Sequence, residues 1–425
     1  MTIHTVKAGE TFASISSVYG IPLSYLLRIN GLDTQSVAVV GQALLILFPA
    51  AYYTVQSGDT ASAVAQQAGI SVTRLLQLNP EASRPLYTGQ VLVTALTEPE
   101  GPPLWVGGYA YPYIDKALLS SLLPSLTELT IFGYGFNRDG SLIAPDDGWM
   151  LQAAEQAGTL PILLLSALDE NEGFDNQKTA ELLQTPALQQ TVIDNILSVM
   201  QQKGYRGIDL DFEYIDPALA EPYLQFIRYV RDRMSPYGYT VNVDLAPKTS
   251  ADQSGLLYEA HDYPAIGAAA DTVFLMTYEW GYRYGPPMAV APLDKVSQVL
   301  AYALQEIEAS KISLGIPNYA YDWQLPYEQG ISQAVTVGNE QAVQIAARYN
   351  AQILFDQAAA SPYFYYTDEY GKPHVVWFED VRSIEAKLRL AQRRGLSRIG
   401  YWNLMRPFAQ NQALLTALFR VEKRP

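Results

Sequence analysis

The chain has 425 residues, a formal net charge of −15 and no cysteine, and it is too long for one compact core. The acidic balance excludes charge-driven binding of nucleic acid or of an anionic membrane, and the missing thiols exclude disulfides, cysteine nucleophiles and cysteine metal sites. His4, His261 and His374 stand far apart without a zinc-ligand spacing, so no metal and no cofactor is expected. No apolar run is long enough to span a bilayer. Tyrosine outnumbers phenylalanine, 30 to 13, and an aromatic face with a polar tip suits a saccharide.

The start, "MTIHTVKAGET", carries no apolar leader segment, so the protein is expected to be made without a signal peptide. A repeat follows. "HTVKAGETFASISSVYGIPLSYLLRINGL" at 4–32 aligns with "YTVQSGDTASAVAQQAGISVTRLLQLNPE" at 53–81. Gly9 matches Gly58, Thr11 matches Thr60 and Asn30 matches Asn79. Each unit reads strand, helix, helix, strand, with Thr11 and Thr60 as N-caps. The units cover 1–48 and 51–95, and "LTEPEGPP" makes 96–103 a linker.

From 104 to 425, apolar strands alternate with amphipathic helices. The strands are expected at 104–111, 128–136, 160–168, 207–214, 240–247, 272–280, 311–321 and 397–404. Eight such units predict an α/β fold, a (β/α)8 TIM barrel. The gap after the seventh strand, about 322–378, holds a helical "NEQAVQIAARYN" and a tyrosine-rich "PYFYYTDEYGKPHVVWF". It reads as a small α+β insertion walling one side of a cleft.

The fourth strand carries the chemistry. In "YRGIDLDFEYI", Asp209, Asp211 and Glu213 share one face and Ile208, Leu210 and Phe212 the other. Three crowded carboxylates raise one another's pKa, which keeps a carboxylic acid protonated near neutrality. Glycosidic cleavage needs a proton for the leaving oxygen and support for a cation-like sugar carbon. Two acids two residues apart on one strand suit attack by the substrate's own 2-acetamido oxygen.

Both halves resemble known families. The repeats resemble LysM domains, which bind N-acetylglucosamine-containing glycans. The resemblance implies ligand contacts at Gly9, Glu10, Thr11, Asn30 and Gly31 in the first unit, and at Gly58, Asp59, Thr60, Asn79 and Pro80 in the second. Residues 104–425 resemble glycoside hydrolase family 18. "GIDLDFE" is similar to that family's strand-four motif, which implies Glu213 as general acid, Asp211 as orienter of the acetamido group and Asp209 as holder of a shared proton. "MTYEW" implies Tyr278 on the acetamido carbonyl and Met276 on the floor, and "YWNL" implies Trp402 under the sugar. Asn242 and Asp244 on strand five either line the site or satisfy barrel hydrogen bonds. The chain departs from the family twice: Glu279 replaces the usual aspartate, and Arg206 replaces the first motif aspartate, at a position expected deep in the barrel.

The order of modules looks like the spore-cortex-lytic group of the family. It implies a peptidoglycan N-acetylglucosaminidase located in the coat or cortex region of the spore, with a peptidoglycan or chitin-like polymer as partner. A chitinase or another endo-N-acetylglucosaminidase, and a non-catalytic glycan-binding wall protein, are the alternatives.

Overall fold

The computed structural model describes residues 1–167 and 175–423. Eight parallel strands form the barrel: Pro103–Ala110, Glu128–Phe136, Leu160–Leu165, Gly207–Leu210, Thr240–Leu245, Thr272–Leu275, Ile312–Pro317 and Arg398–Trp402. They neighbour one another in that order, and the eighth closes on the first with Gly400 opposite Gly107. All eight expected strands are present. The third was expected to reach Leu168, which lies outside the described residues.

Ile208, Leu210 and Phe212 are buried toward the helix layer, as their alternation requires. Phe212 meets Phe226 and Tyr223 of the helix Ala220–Met234, with ring centroids 5.9 and 6.1 Å away. Burying such a side chain contributes roughly 1.5–3 kcal/mol. The same parity corrects the expectation for Arg206. It shares the outward face with Ile208 and Leu210, and its side chain is exposed at the N-terminal end rather than deep in the barrel.

The expected insertion is a five-stranded antiparallel sheet in the order Val335–Val337, Ala320–Gln324, Pro373–Trp377, Ser361–Thr367 and Leu354–Asp356, with the helix Asn339–Arg348. The run 311–321 is therefore two strands. It breaks at Asn318, whose amide donates to the carbonyls of Asn403 and Arg406, and the insertion sheet begins at Ala320 rather than about 322.

Each repeat unit has the expected four elements. Strands Thr2–Thr5 and Ala43–Ile46 pair in the first, and Pro49–Thr54 and Val91–Leu96 in the second. Thr11 caps the helix Phe12–Tyr19 through the Ser14 N–H, and Thr60 caps Ala61–Ala68 through the Ala63 N–H. Gly9 and Gly58 both turn at positive φ, 83° and 89°, where a β-carbon would strain the backbone.

The repeats do not hang from a free tether. Tyr25, Ile29, Leu45, Leu78 and Val93 belong to one continuous core with the barrel. Gln410 donates to Asn30 Oδ1 and to the Ala43 carbonyl, and Ile353 N–H donates to the Val40 carbonyl. The segment 97–102 is itself held: Thr97 N–H donates to the Phe48 carbonyl, and Glu100 pairs with Arg74 at 2.9 Å.

Candidate active site

A cleft of about 430 Å³ opens at the C-terminal end of the barrel, where this architecture places its chemistry. Asp211, Glu213, Asp244, Met276, Tyr278, Glu279 and Trp402 line it. These come from strands four, five, six and eight or from the residues just past them. The strand-four ladder itself ends at Leu210. Asp211 and Glu213 thus stand beyond the regular pairing, although alternation extends the strand to 214. Their backbone is tied down by other means: Asp211 N–H donates to the Leu165 carbonyl at 3.1 Å, and the Ser166 hydroxyl donates to the Asp211 carbonyl at 2.6 Å.

Beneath the cleft lies a polar layer. Tyr109 contacts Asp209 Oδ2 at 2.7 Å and Asp244 Oδ1 at 2.9 Å. Asn242 Nδ2 donates to Asp209 Oδ1 at 2.7 Å, and the Thr272 hydroxyl donates to Asn242 Oδ1. The Tyr109 hydroxyl has one proton to give, so its second short contact requires a protonated carboxyl. Burial pushes Asp244 well above the ordinary carboxylate range, with Asp209 and Asp211 adding like-charge repulsion. Asp209 is pushed up to about 6 by burial, against the hydrogen bonds from Tyr109 and Asn242. Of the two strand-five candidates, Asp244 faces the cleft. Asn242 does not; it is an internal partner of Asp209, the barrel hydrogen-bonding role that was its alternative to lining the site.

Asp211 stands between the two layers. Burial raises its pKa well above the usual range, with Glu213 and Asp209 adding to the rise, and its Oδ1 is buried without a hydrogen-bond partner among the described residues. An acceptor in that state is poised for a donor from outside the protein. Glu213 is pushed up to about 7, chiefly by burial and then by the charge of Glu279. A carboxylic acid with that pKa both gives and takes a proton near neutrality.

Glu279 has φ 65° and Tyr214, next to Glu213, has φ 53°. Such left-handed backbone costs on the order of 1–3 kcal/mol and clusters at functional sites. The Glu279 carboxylate opens onto the cleft and accepts from the hydroxyls of Tyr319 and Tyr321. Tyr278 is buried, and Asp244, Asp211, Glu213 and Glu279 all act on its hydroxyl, holding it un-ionised. Trp402 forms an aromatic wall with Phe132, Tyr111 and Tyr109, its ring centroid 5.5, 6.2 and 5.7 Å from theirs.

Sequence reading missed Tyr109, Tyr111, Phe132, Tyr319 and Tyr321. Alternation in "GYAY" and "PNYAY" was available to find the tyrosines, since residues two apart share a face. His261 also escaped: its ring lies in the core behind strand four, contacted from strand five.

The repeat residues divide into two sets. Gly9, Thr11, Gly58 and Thr60 are exposed, and Gly31 and Pro80 are half-buried. Glu10 accepts from Lys7 N–H and His4, and Asp59 from Gln56 N–H and Tyr53. Asn30 and Asn79 are corrected as ligand contacts. Both are buried, and each amide bridges its helix to the closing strand, Asn30 through Leu26 and Leu45, Asn79 through Leu75 and Val93. Gly31 faces the insertion, where a β-carbon would come within 2.2 Å of Glu340 Oε1.

An eight-stranded barrel with a buried acid cluster at its C-terminal mouth and aromatic walls defines a glycoside hydrolase. Residues 172–406 match glycosyl hydrolases family 18, and residues 4–46 and 53–94 match the LysM domain. The chain belongs to glycosyl hydrolases family 18 and carries two LysM domains at its N-terminus. It is 38% identical to the cortical fragment-lytic enzyme of Bacillus cereus over 99% of both chains. It is 42% identical to the enzyme of the same name from Bacillus subtilis (strain 168), covering 71% of this chain and 70% of that one. The crystal structure of the Bacillus cereus spore cortex-lytic enzyme SleL superposes with a TM-score of 0.84 at 36% identity, covering 99% of this chain and 98% of that one. Among the described residues, no helix is long and apolar enough to cross a membrane.

Proposed function

We propose that this chain hydrolyses spore-cortex peptidoglycan at β-1,4 bonds following N-acetylglucosamine, by retaining, substrate-assisted catalysis. The observation that carries the reading is the pairing of Glu213, an acid poised near neutrality, with Asp211, whose unpartnered buried oxygen faces the same cleft two residues away. Full-length likeness to enzymes named for cortex lysis supports the substrate.

In this mechanism Glu213 gives its proton to the glycosidic oxygen as the C1–O bond breaks. The acetamido carbonyl oxygen of the same sugar bonds to C1 and makes an oxazolinium ion. Asp211 accepts from the acetamido N–H through its unpartnered Oδ1, while the Tyr278 hydroxyl donates to the acetamido oxygen. Water then attacks C1 and gives its proton to Glu213, restoring the acid with retention of configuration. Trp402 closes the floor. N-acetylmuramic acid carries a bulky ether at C3, so N-acetylglucosamine is the better occupant beside Glu213. The LysM domains hold the glycan, and the site of action is the spore.

The substrate test sets cortex fragments and chitin oligomers side by side and reads the new reducing ends by mass spectrometry. N-acetylglucosamine ends from cortex establish the assignment. Cleavage of chitin alone moves the substrate to chitin, and binding of either without cleavage makes the protein a glycan-binding wall component.

A further inference from the structure

We infer that His261 is a positioning residue that fixes the backbone between Asp211 and Glu213. The two acids lie past the end of the strand-four ladder, so ladder pairing does not set their aim. Ser166 holds the Asp211 carbonyl from the strand-three side. On the opposite side the next carbonyl, that of Phe212, faces His261 Nε2 at 3.3 Å. The imidazole is fully enclosed, 1% exposed, and its ring centroid lies 6.2 Å from that of Tyr223.

The ring's tautomer follows from its neighbours. Ala246 N–H, just past strand five, points at Nδ1 at 2.8 Å. An N–H only donates, so Nδ1 is the acceptor and the single proton of the neutral ring sits on Nε2, facing Phe212. His261 therefore transfers the order of strand five to the unladdered end of strand four. Its own backbone is held in turn: Lys248 Nζ donates to the His261 carbonyl, and Tyr263 donates to the Ala246 carbonyl at 2.6 Å. Burial, with the nearby Lys248 charge, favours the neutral ring that this arrangement needs. Glu213 follows Phe212 directly, and a misplacement of about 1 Å at a reacting group costs on the order of a hundredfold in rate. The inference rests on Glu213 being the acid.

Two substitutions separate the two ring contacts. His261→Gln places a side-chain N–H donor where Nε2 stands and loses the acceptor for Ala246. His261→Asn places an acceptor near Nδ1 and loses the donor to Phe212. The expected result is a fall in kcat of about tenfold to a hundredfold for His261→Asn with little change in KM, and substantial rescue of kcat in His261→Gln. Equal loss in both variants, tracking their melting temperatures, would show a merely structural histidine and overturn the inference. Wild-type kcat in His261→Asn would overturn it too. Ring nitrogen chemical shifts of the unsubstituted protein decide the tautomer independently of folding: protonated Nε2 supports the assignment, and protonated Nδ1 defeats it. Glu213→Gln is assayed alongside. An active Glu213→Gln removes the reading of the acid itself, whereas an inactive Glu213→Gln beside a normal His261→Asn removes only the role of His261.

Discussion

Tyr321 donates its hydroxyl to Glu279 Oε1 at 3.0 Å, which ties the seventh strand's continuation to an acid that opens on the catalytic cleft. Tyr319 grips the same oxygen. The Glu279 side chain is thereby drawn toward the insertion. Both tyrosines favour the ionised form of Glu279, against a burial that raises its pKa.

That charge bears on the pH profile. Glu279 raises the pKa of Glu213, which stands at about 7. As the proposed general acid, Glu213 must start protonated, so activity is expected to fall as pH rises through that value. Removing the Glu279 charge lowers the Glu213 pKa. Glu279→Gln is therefore expected to move the alkaline limb of kcat/KM to lower pH, and pH–rate profiles of the two proteins check it. An unmoved limb would show that Glu279 does not act on Glu213.

Asp209 makes a prediction about stability. Its folded pKa, about 6, lies above the roughly 3.9 of a free aspartate. A raised carboxyl pKa means that the folded state binds more protons than the unfolded one between those values, so stability falls as pH climbs from about 4 to about 6. A shift of this size corresponds to at most about 3 kcal/mol. Asp209→Asn is expected to gain melting temperature relative to wild type between pH 4 and pH 7. Melts of both proteins across that range measure it, and a constant difference would contradict it.

Much of this was legible in the sequence. Apolar runs spaced by amphipathic helices located all eight strands, and period-two alternation in the fourth put Asp209, Asp211 and Glu213 on one face. The same parity points Arg206 outward, but the expectation followed the motif alignment and set it deep in the barrel. Asn242 and Asp244 share a parity, and depth along the strand, which alternation does not carry, separates one as a partner of Asp209 from the other as cleft wall. The docking of the LysM domains was not legible either. It depends on apolar residues such as Tyr25 and Leu78, which a sequence assigns to each module's own core but which also meet the barrel.

That docking predicts one cooperative thermal transition for the whole chain rather than separate melting of repeats and barrel. Gln410→Ala removes two buried hydrogen bonds across the contact and is expected to cost about 1–3 kcal/mol. Deleting residues 1–95 uncovers apolar barrel surface and is expected to lower the melting temperature further. Calorimetry checks each, and independent repeat melting would contradict the shared core.

Under the proposed substrate assistance the acetamido group is itself a reactant. Oligosaccharides whose sugar beside Glu213 bears a free amine at C2 are expected to bind but not turn over. Cleavage at the wild-type rate would show that a protein carboxylate supplies the nucleophile.

The most direct test of the central claim is turnover of cortex fragments by Glu213→Gln against wild type. The amide keeps the shape of the side chain and removes the proton that it gives. Loss of at least about a hundredfold in kcat, with fragment binding retained, is the predicted result. A Glu213→Gln protein that still releases new reducing ends at the wild-type rate would contradict the assignment of Glu213 as the acid.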